Sequence, residues 1–391
     1  MTSFQNEDRV NICLVAAIPL SLLVFMKPHI RALSRYCNIT LVANSDFGDI
    51  SPLLNSQVTF KNLKIKRKIA IFSDFIALIN LWKIFRNEKF ELVQSITPKA
   101  GLLSMVAGRL AGISVRVHWF TGQVWATKKG LQRWFLKLFD RLLSTCATHL
   151  FADSVSQCEF LSKEGIVQQS EISVLGKGSV CGIDTALFKP NPKDRKKKRL
   201  ELNISEGATI ALYLGRLNQE KGLPELAKAY LKAAQECADL HLLVVGPDEE
   251  QMRDFVSKVL SEFSDRVHFV DYTNEPQAFF AAADFFVLPS HREGFGSSVI
   301  EAAACGIPTI GTNIYGLTDA IVHEKTGLQF PVGNVAHLTK AMIRLAKDRS
   351  FRLYLGEQAR QRAVQDFNQD ALTQEMIEHY LRFLELKINY S

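Results

Sequence analysis

Along this chain, short runs of strand-forming apolar residues alternate with stretches in which apolar side chains return at helical spacing. That alternation marks repeated β–α units and a mainly parallel sheet. In the first half the predicted strands are Asn11–Ala17, Ile39–Ala43, Glu91–Ile96, Val115–Phe120, His149–Ala152 and Ile172–Leu175. A second series follows at Ile210–Leu214, Leu240–Val245, Val267–Val270, Phe285–Leu288 and Thr309–Ile310. Between them Asn191–Leu200 reads NPKDRKKKRL, charge-dense and without apolar periodicity, and is expected to be a solvated linker. With 391 residues the chain is too long for one ordinary core and suits two α/β domains. The expectation is two Rossmann-like domains, 1–190 and 191–367. Helical periodicity from Leu338 to Leu386 closes the second, and a terminal helix at 368–391 crosses back to the first.

Composition narrows the function classes. An apolar content of 47% with 22% charged residues belongs to a packed protein and excludes general disorder. Seven scattered cysteines without a C-x-x-C pair suggest neither a disulfide framework nor a zinc site, and fit buried thiols in a reducing compartment. Val10–Met26 is apolar but interrupted by Asn11, Pro19 and Ser21, so it reads as a strand, a loop and a helix start rather than a membrane span. Glu7, Asp8 and Arg9 nearly cancel, unlike the start of a signal peptide. Residues 1–190 hold 23 Lys and Arg against 13 Asp and Glu, whereas residues 191–391 hold 24 against 27. A basic first half points to an anionic partner: a phospholipid surface, a lipid-linked pyrophosphate or nucleic acid. Much of the excess lies in Lys61–Lys68 and Lys128–Arg141.

The segment Pro289–Gly311, PSHREGFGSSVIEAAACGIPTIG, carries the strongest chemical signal. A strand ends at Pro289, a glycine-containing loop follows, and a helix is predicted from Ser297. Backbone N–H groups and the helix dipole then point at the space above the strand's carboxyl end, where such sheets bind ligands. Gly294 and Gly296 permit close approach or positive φ. Glu293 and Glu301, eight positions apart, would repel phosphate but suit the hydroxyls of a sugar and a ribose. On spacing alone they equally fit a helix cap and a solvated carboxylate. A second loop, LGRLNQEKG at Leu214–Gly222, places Arg216 and Lys221 before a helix predicted from Pro224. Two cations beside a helix start suit a diphosphate, with Arg able to bind bidentately. Taken alone, the loop also fits ordinary surface cations.

These motifs resemble the C-terminal domain of glycosyltransferase family 4. EGFGSSVIE carries the family's E-x7-E pattern on Glu293 and Glu301, and GRL…KG falls on Gly215–Leu217 and Lys221–Gly222. In the first half SITPKAG (Ser95–Gly101), HWFTG (His118–Gly122) and GKGSVCGIDTALF (Gly176–Phe188) look like members that build bacterial O-antigen and capsule. The resemblance covers roughly residues 90–380, and the loop after the first strand, Ala16–Ala17–Ile18–Pro19, departs from the family's glycine-rich version.

The resemblance implies an α/β GT-B fold, with two Rossmann-like domains of mainly parallel sheets facing across a cleft. It further implies a retaining hexosyl- or N-acetylhexosaminyltransferase that requires neither metal nor resident cofactor. Arg216 and Lys221 would meet the donor diphosphate, Glu293 the transferred sugar, and Glu301 the ribose. The backbone of Gly294, Phe295, Gly296, Ser297 and Ser298 would line the nucleotide sugar. His118 would face the donor sugar as a second catalytic candidate, unless it is a structural residue. Lys99, Thr121 and Gly122 fall in the segments expected to line the acceptor side. The donor would be a UDP-sugar and the acceptor a saccharide on a polyprenyl diphosphate. Such a chain would be cytoplasmic and peripheral on the inner membrane, touching its anionic surface and no nucleic acid. In Lys128–Arg141, Leu131, Trp134, Phe135, Leu138, Phe139 and Leu142 recur at helical spacing among five cations, so the stripe suits either a core or a membrane interface. Two rivals stand beside transfer: a nucleotide-sugar epimerase of the same shape, and a non-catalytic lipid- or nucleic-acid-binding module.

Overall fold

A computed structural model describes residues 9–47, 50–66 and 70–385; positions 67 and 68 of the Lys61–Lys68 run, Glu7, Asp8 and Leu386 lie outside them. The chain forms two compact units, Met1–Cys181 with Gln369–Ser391, and Gly182–Asn368.

The first unit runs β1 (Asn11–Val15), α1 (Pro19–Phe25), α2 (Lys27–Leu33), β2 (Asn38–Ala43), β3 (Val58–Asn62), α3 (Ile71–Glu88), β4 (Leu92–Ser95), α4 (Pro98–Ala111), β5 (Val115–Phe120), α5 (Gly130–Cys146), β6 (His149–Ala152), α6 (Val155–Lys163) and β7 (Ile172–Val174). Among the described residues its seven strands are all parallel, in the order β3-β2-β1-β4-β5-β6-β7. Both faces are buried, which is why its central strands read as continuous apolar runs. The second unit runs α7 (Pro192–Glu201), β8 (Thr209–Leu214), α8 (Leu223–Glu236), β9 (Leu240–Val245), α9 (Met252–Val259), β10 (Val267–Val270), α10 (Pro276–Ala282), β11 (Phe285–Leu288), α11 (Ser297–Ala304), β12 (Thr309–Thr312), α12 (Leu317–Ala320), β13 (Gly327–Phe330), α13 (Val335–Lys347) and α14 (Arg349–Asp366). Its six parallel strands are ordered β10-β9-β8-β11-β12-β13. Helix α15 (Gln369–Phe383) packs Leu372, Met376 and Tyr380 into the first unit's core.

Three expectations change. Two strands were not anticipated: β3 is an edge strand with exposed polar residues, and β13 is short and begins on glycine. The expected solvated linker at Asn191–Leu200 is instead the capped helix α7. The Asn191 side chain accepts from the backbone N–H of Lys193 and Asp194, Pro192 opens the first turn, and Lys198 and Arg199 face the negative end of the dipole. Its buried contact is a guanidinium, invisible to apolar periodicity. Arg199 is 1% exposed, donates to Asp284 Oδ2 at 2.6 Å and to the carbonyls of Ala282 and Ala208.

The stripe on α5 also turns out differently from a core-facing one. α5 buries Asp140, Leu143 and Cys146, while Leu131, Trp134, Phe135 and Leu138 are exposed. Among the described residues no helix is long and apolar enough to cross a membrane.

Candidate functional site

In the second unit the loops that leave β8 and β11 lie side by side, because these strands are neighbours although far apart in sequence. Strand order reverses between them. At such a reversal the two loops diverge to opposite faces and leave a crevice for ligands at the carboxyl ends of the strands. Both loops that stood out in the sequence are the ones at this point.

The β8 loop carries Arg216, Asn218 and Lys221. The Asn218 side chain caps a short helical turn by accepting from the Lys221 backbone N–H at 3.0 Å. Lys221 Nζ donates to Glu293 Oε1 at 2.5 Å, joining the two loops. Ser290 Oγ donates to the same oxygen at 2.8 Å, and Thr312 Oγ1 at the end of β12 holds the Ser290 carbonyl at 2.5 Å. Glu293 is therefore oriented from two strands. Arg216 pairs with Glu249 at 3.0 Å, and Asn218 Nδ2 donates to the same carboxylate at 2.9 Å.

Close backbone approach makes this geometry possible. Gly222 has φ 75°, and a Cβ there would sit 2.1 Å from the Pro289 carbonyl oxygen. Gly316 has φ 82°, and its Cβ would meet the Gly294 oxygen at 2.4 Å. Any side chain at either position would push the β11 loop away.

Helix α11 begins at Ser297 behind Gly296, and no side chain caps it. Its first N–H groups, from Ser297 and Ser298, provide a positive end for an anion. The Phe295 ring is core, 3% exposed and edge-on to Phe367 at 5.2 Å, which leaves only its backbone for a ligand. Glu301 stands on the second turn of α11, half-buried, and its carboxyl has no hydrogen-bond or ion-pair partner among the described residues. Burial raises its pKa from 4.5 to about 7. An unpartnered carboxyl close to an anion-suited helix end is fitted to accept from hydroxyl groups.

In the first unit strand order reverses between β1 and β4, and the candidates lie beside that point, Lys99 in α4 after β4 and His118, Thr121 and Gly122 on and after β5. The glycine-free loop after β1 is tied across that reversal: the Ala17 N–H donates to Thr97 Oγ1 at 3.0 Å. His118 lies inside β5 rather than after it, and its ring is 1% exposed. Its Nδ1 shares a 2.8 Å hydrogen bond with Ser95 Oγ on β4, and burial lowers its pKa to about 3. The ring is thus neutral at physiological pH. Gly101 of α4 leaves room for it, since a Cβ would lie 2.4 Å from its Cε1. Lys99 pairs with Asp74 at 2.5 Å. Thr121 Oγ1 donates to the Ile96 carbonyl at 3.3 Å, and Gly122 has φ 101°.

Sequence reading missed Asn218, Glu249, Ser290 and Thr312. No motif spacing marks them, since Glu249 reaches Arg216 only because β9 runs beside β8 and Leu217 bridges to Asp248.

Two all-parallel Rossmann-like units, one with a cation- and carboxylate-lined reversal point, have the α/β architecture expected of a GT-B protein. Residues 194–362 match the family Glycosyl transferases group 1. The chain is 30% identical over 324 residues to the capsular polysaccharide biosynthesis glycosyltransferase CapM of Staphylococcus aureus, across 83% of this chain and 85% of that protein. It is 28% identical over 309 residues to the UDP-Gal:alpha-D-GlcNAc-diphosphoundecaprenol alpha-1,3-galactosyltransferase of Escherichia coli, across 77% and 78%. The chain belongs to the Glycosyl transferases group 1 family. Its fold matches the crystal structure of Anabaena HepE in complex with UDP and glucose, with a TM-score of 0.79 at 16% identity over 95% of this chain and 99% of that one.

Proposed function

We propose that this glycosyltransferase moves a hexose or N-acetylhexosamine, with retention, from a UDP-sugar to a saccharide carried on a polyprenyl diphosphate, in the assembly of a surface polysaccharide. The observation that carries the reading is the Lys221–Glu293 link at the β8/β11 reversal, flanked by Arg216 and the uncapped start of α11. The relatives support donor and acceptor class: one acts in capsule synthesis, and another is named for UDP-Gal and a diphosphoundecaprenol-linked sugar.

In this reading Arg216, Lys221 and the N–H groups of Ser297 and Ser298 bind the diphosphate and stabilise the charge it gains as it leaves. Gly294 and Gly296 let the backbone come close to the sugar. Glu293 accepts from the sugar's hydroxyls and orients it, and Glu301 accepts from the ribose. The bond from the anomeric carbon to the diphosphate oxygen breaks, the acceptor oxygen bonds to the same face, and its proton passes to the departing phosphate. With the leaving charge met by these groups, no metal or cofactor is required. His118, neutral and held by Ser95, is the first unit's hydrogen-bonding residue for the reaction, with Lys99, Thr121 and Gly122 on the acceptor side. An acceptor of this kind places the enzyme peripherally at the cytoplasmic face of the inner membrane.

The test is incubation with UDP-, GDP- and ADP-sugars, with and without polyprenyl-diphosphate-linked saccharides, in buffer containing EDTA, with products read by mass spectrometry. A UDP-sugar-dependent mass gain on the lipid acceptor, with the α anomer from an α-linked donor, is expected. Epimerised UDP-sugar without an acceptor product would refute transfer, and activity abolished by EDTA and restored by magnesium would refute metal independence.

A further inference from the structure

The β11 loop is fastened to the β8 loop and α8 by more than the Lys221–Glu293 contact. Three consecutive residues of the β11 loop each face an opposite charge on the neighbouring segment. His291 Nε2 donates to Glu225 Oε1 at 3.0 Å, Arg292 Nη2 donates to Glu220 Oε2 at 2.9 Å, and Glu293 accepts from Lys221. The His291 backbone N–H adds a 2.9 Å bond to the Glu220 carbonyl. With His291 protonated, every rung of this ladder sets a positive group against a negative one.

The three rungs hold the loop to different extents. Lys221 is the cation proposed for the donor diphosphate, so a bound diphosphate competes with Glu293 for its ammonium and loosens that rung. The hydrogen bond that Glu293 accepts from Ser290 Oγ at 2.8 Å comes from the same loop and moves with it. The aim of Glu293 therefore depends on what fixes the loop as a whole. Glu220 belongs to the β8 loop and its side chain is 37% exposed, where an ion pair is screened. Glu225 instead stands in the first turn of α8, whose Leu223, Leu226 and Ala227 are buried in the core. His291 thus ties the β11 loop to a helix seated in the second unit's core.

The charges around this pair favour it. The hydrogen bond to Glu225 raises the His291 pKa above its ordinary 6.5, and Glu220 of the β8 loop acts in the same direction. In return His291 holds the Glu225 carboxyl below its usual range, with Lys228 of α8 adding to the effect. Arg292 and Glu293 flank the imidazole on its own loop. The charged rung is complete below pH 6.5 and is lost as pH rises through the raised pKa of His291. Above it the neutral ring keeps a weaker hydrogen bond.

We infer that His291, held by Glu225, is a positioning residue for the donor sugar: it anchors the β11 loop to α8, so that Glu293 stays aimed at the sugar while Lys221 is shared with the diphosphate. The inference rests on the reading of Glu293 and Lys221 as donor ligands and adds the pair that keeps the carboxylate in place.

The test is calorimetric titration of the full-length protein with UDP and with UDP-glucose, UDP-galactose and UDP-N-acetylglucosamine, keeping the sugar nucleotide that the wild type binds most tightly. The affinity for that UDP-sugar relative to UDP isolates the sugar's contribution and cancels the titration of Glu301 at the ribose. His291→Ala, Glu225→Ala and the double variant should each lower this ratio by about fivefold or more, while UDP affinity changes by less than about twofold. The double variant should lose no more than either single one. His291→Gln donates to Glu225 without titrating, so it should keep most of the ratio and hold it constant from about pH 6 to about pH 9. The wild-type ratio should decline a few-fold over the same range. Equal losses of UDP and UDP-sugar affinity would make the pair a merely structural contact and overturn the inference, as would a wild-type ratio in His291→Ala. Should the alanine variants fail to fold, the His291→Gln profile decides, and a decline like that of the wild type would overturn the inference. A wild type that binds no UDP-sugar would refute the donor reading. Faster amide exchange across residues 290–296 in His291→Ala, but not in His291→Gln, would then leave the anchor assigned.

Discussion

The Nζ of Lys221 and Oε1 of Glu293 lie 2.5 Å apart, joining the loops that leave β8 and β11. The cation proposed for the diphosphate and the carboxylate proposed for the sugar are thus each other's partner, so each sets the other's position. Lys221→Ala and Glu293→Gln should each lower kcat/KM by about a hundredfold or more, since each removes a charge-assisted contact from the transition state. The double variant should cost clearly less than the product of the two. Steady-state kinetics on the four proteins decides; independent, multiplicative losses would show that the pair does not act as a unit.

Arg216 is half-exposed and faces Glu249 at 3.0 Å, with Asn218 on the same carboxylate. A diphosphate at Arg216 must compete with that carboxylate. Glu249→Gln should therefore tighten UDP binding by about two- to fivefold at low salt, a modest gain because exposed pairs are screened. Calorimetric titration checks this. Weaker UDP binding would mean that Glu249 chiefly orients Arg216 for the ligand.

Burial raises the Glu301 carboxyl to about 7. If its carboxylate accepts from ribose hydroxyls, UDP affinity should rise as pH increases through about 7 and level off above, because only the ionised form accepts from both. Stability follows the opposite course. The folded-state pKa lies above the ordinary 4.5, so stability is greatest below that value and declines as pH rises towards 7. Glu301→Gln should flatten the UDP profile and stabilise the protein at pH 8 by about 1 kcal/mol, a discounted share of the shift for a half-buried group. UDP titrations and thermal unfolding at both ends of the range test the two effects separately.

Buried Arg199 and the partly buried Asp284 form an ion pair at 2.6 Å that fastens α7 to the residue before β11. Asp284→Asn leaves the guanidinium inside without its counter-charge and should cost about 3–5 kcal/mol. Adding Arg199→Met should recover part of that loss. Urea denaturation midpoints give the answer; a loss below about 1 kcal/mol would show that the carbonyls around Arg199 suffice.

Most elements of the fold were legible because parallel strands buried on both faces are continuous apolar runs, and all eleven predicted runs overlap strands of the structure. Short β13 begins on glycine, and the other two misses share one cause: periodicity detects apolar burial only. β3 at the sheet edge is partly polar, and α7 is anchored by a buried arginine. At the site, the β8 and β11 loops stood out because their glycines, cations and glutamates cluster locally. Thr312 and Glu249 did not, because what qualifies them is a neighbour many positions away.

The sequence by itself determined the residue types at the two loops and the helix starts behind them, because local backbone chemistry sets both. It also determined that α5 has an apolar stripe, but left open which way the stripe faces. Only the tertiary structure decided that, by pairing Arg133 and Lys137 with Glu164 and turning the stripe outward. It likewise decided that Lys221 meets Glu293, since strand order, a long-range property, makes β8 and β11 neighbours.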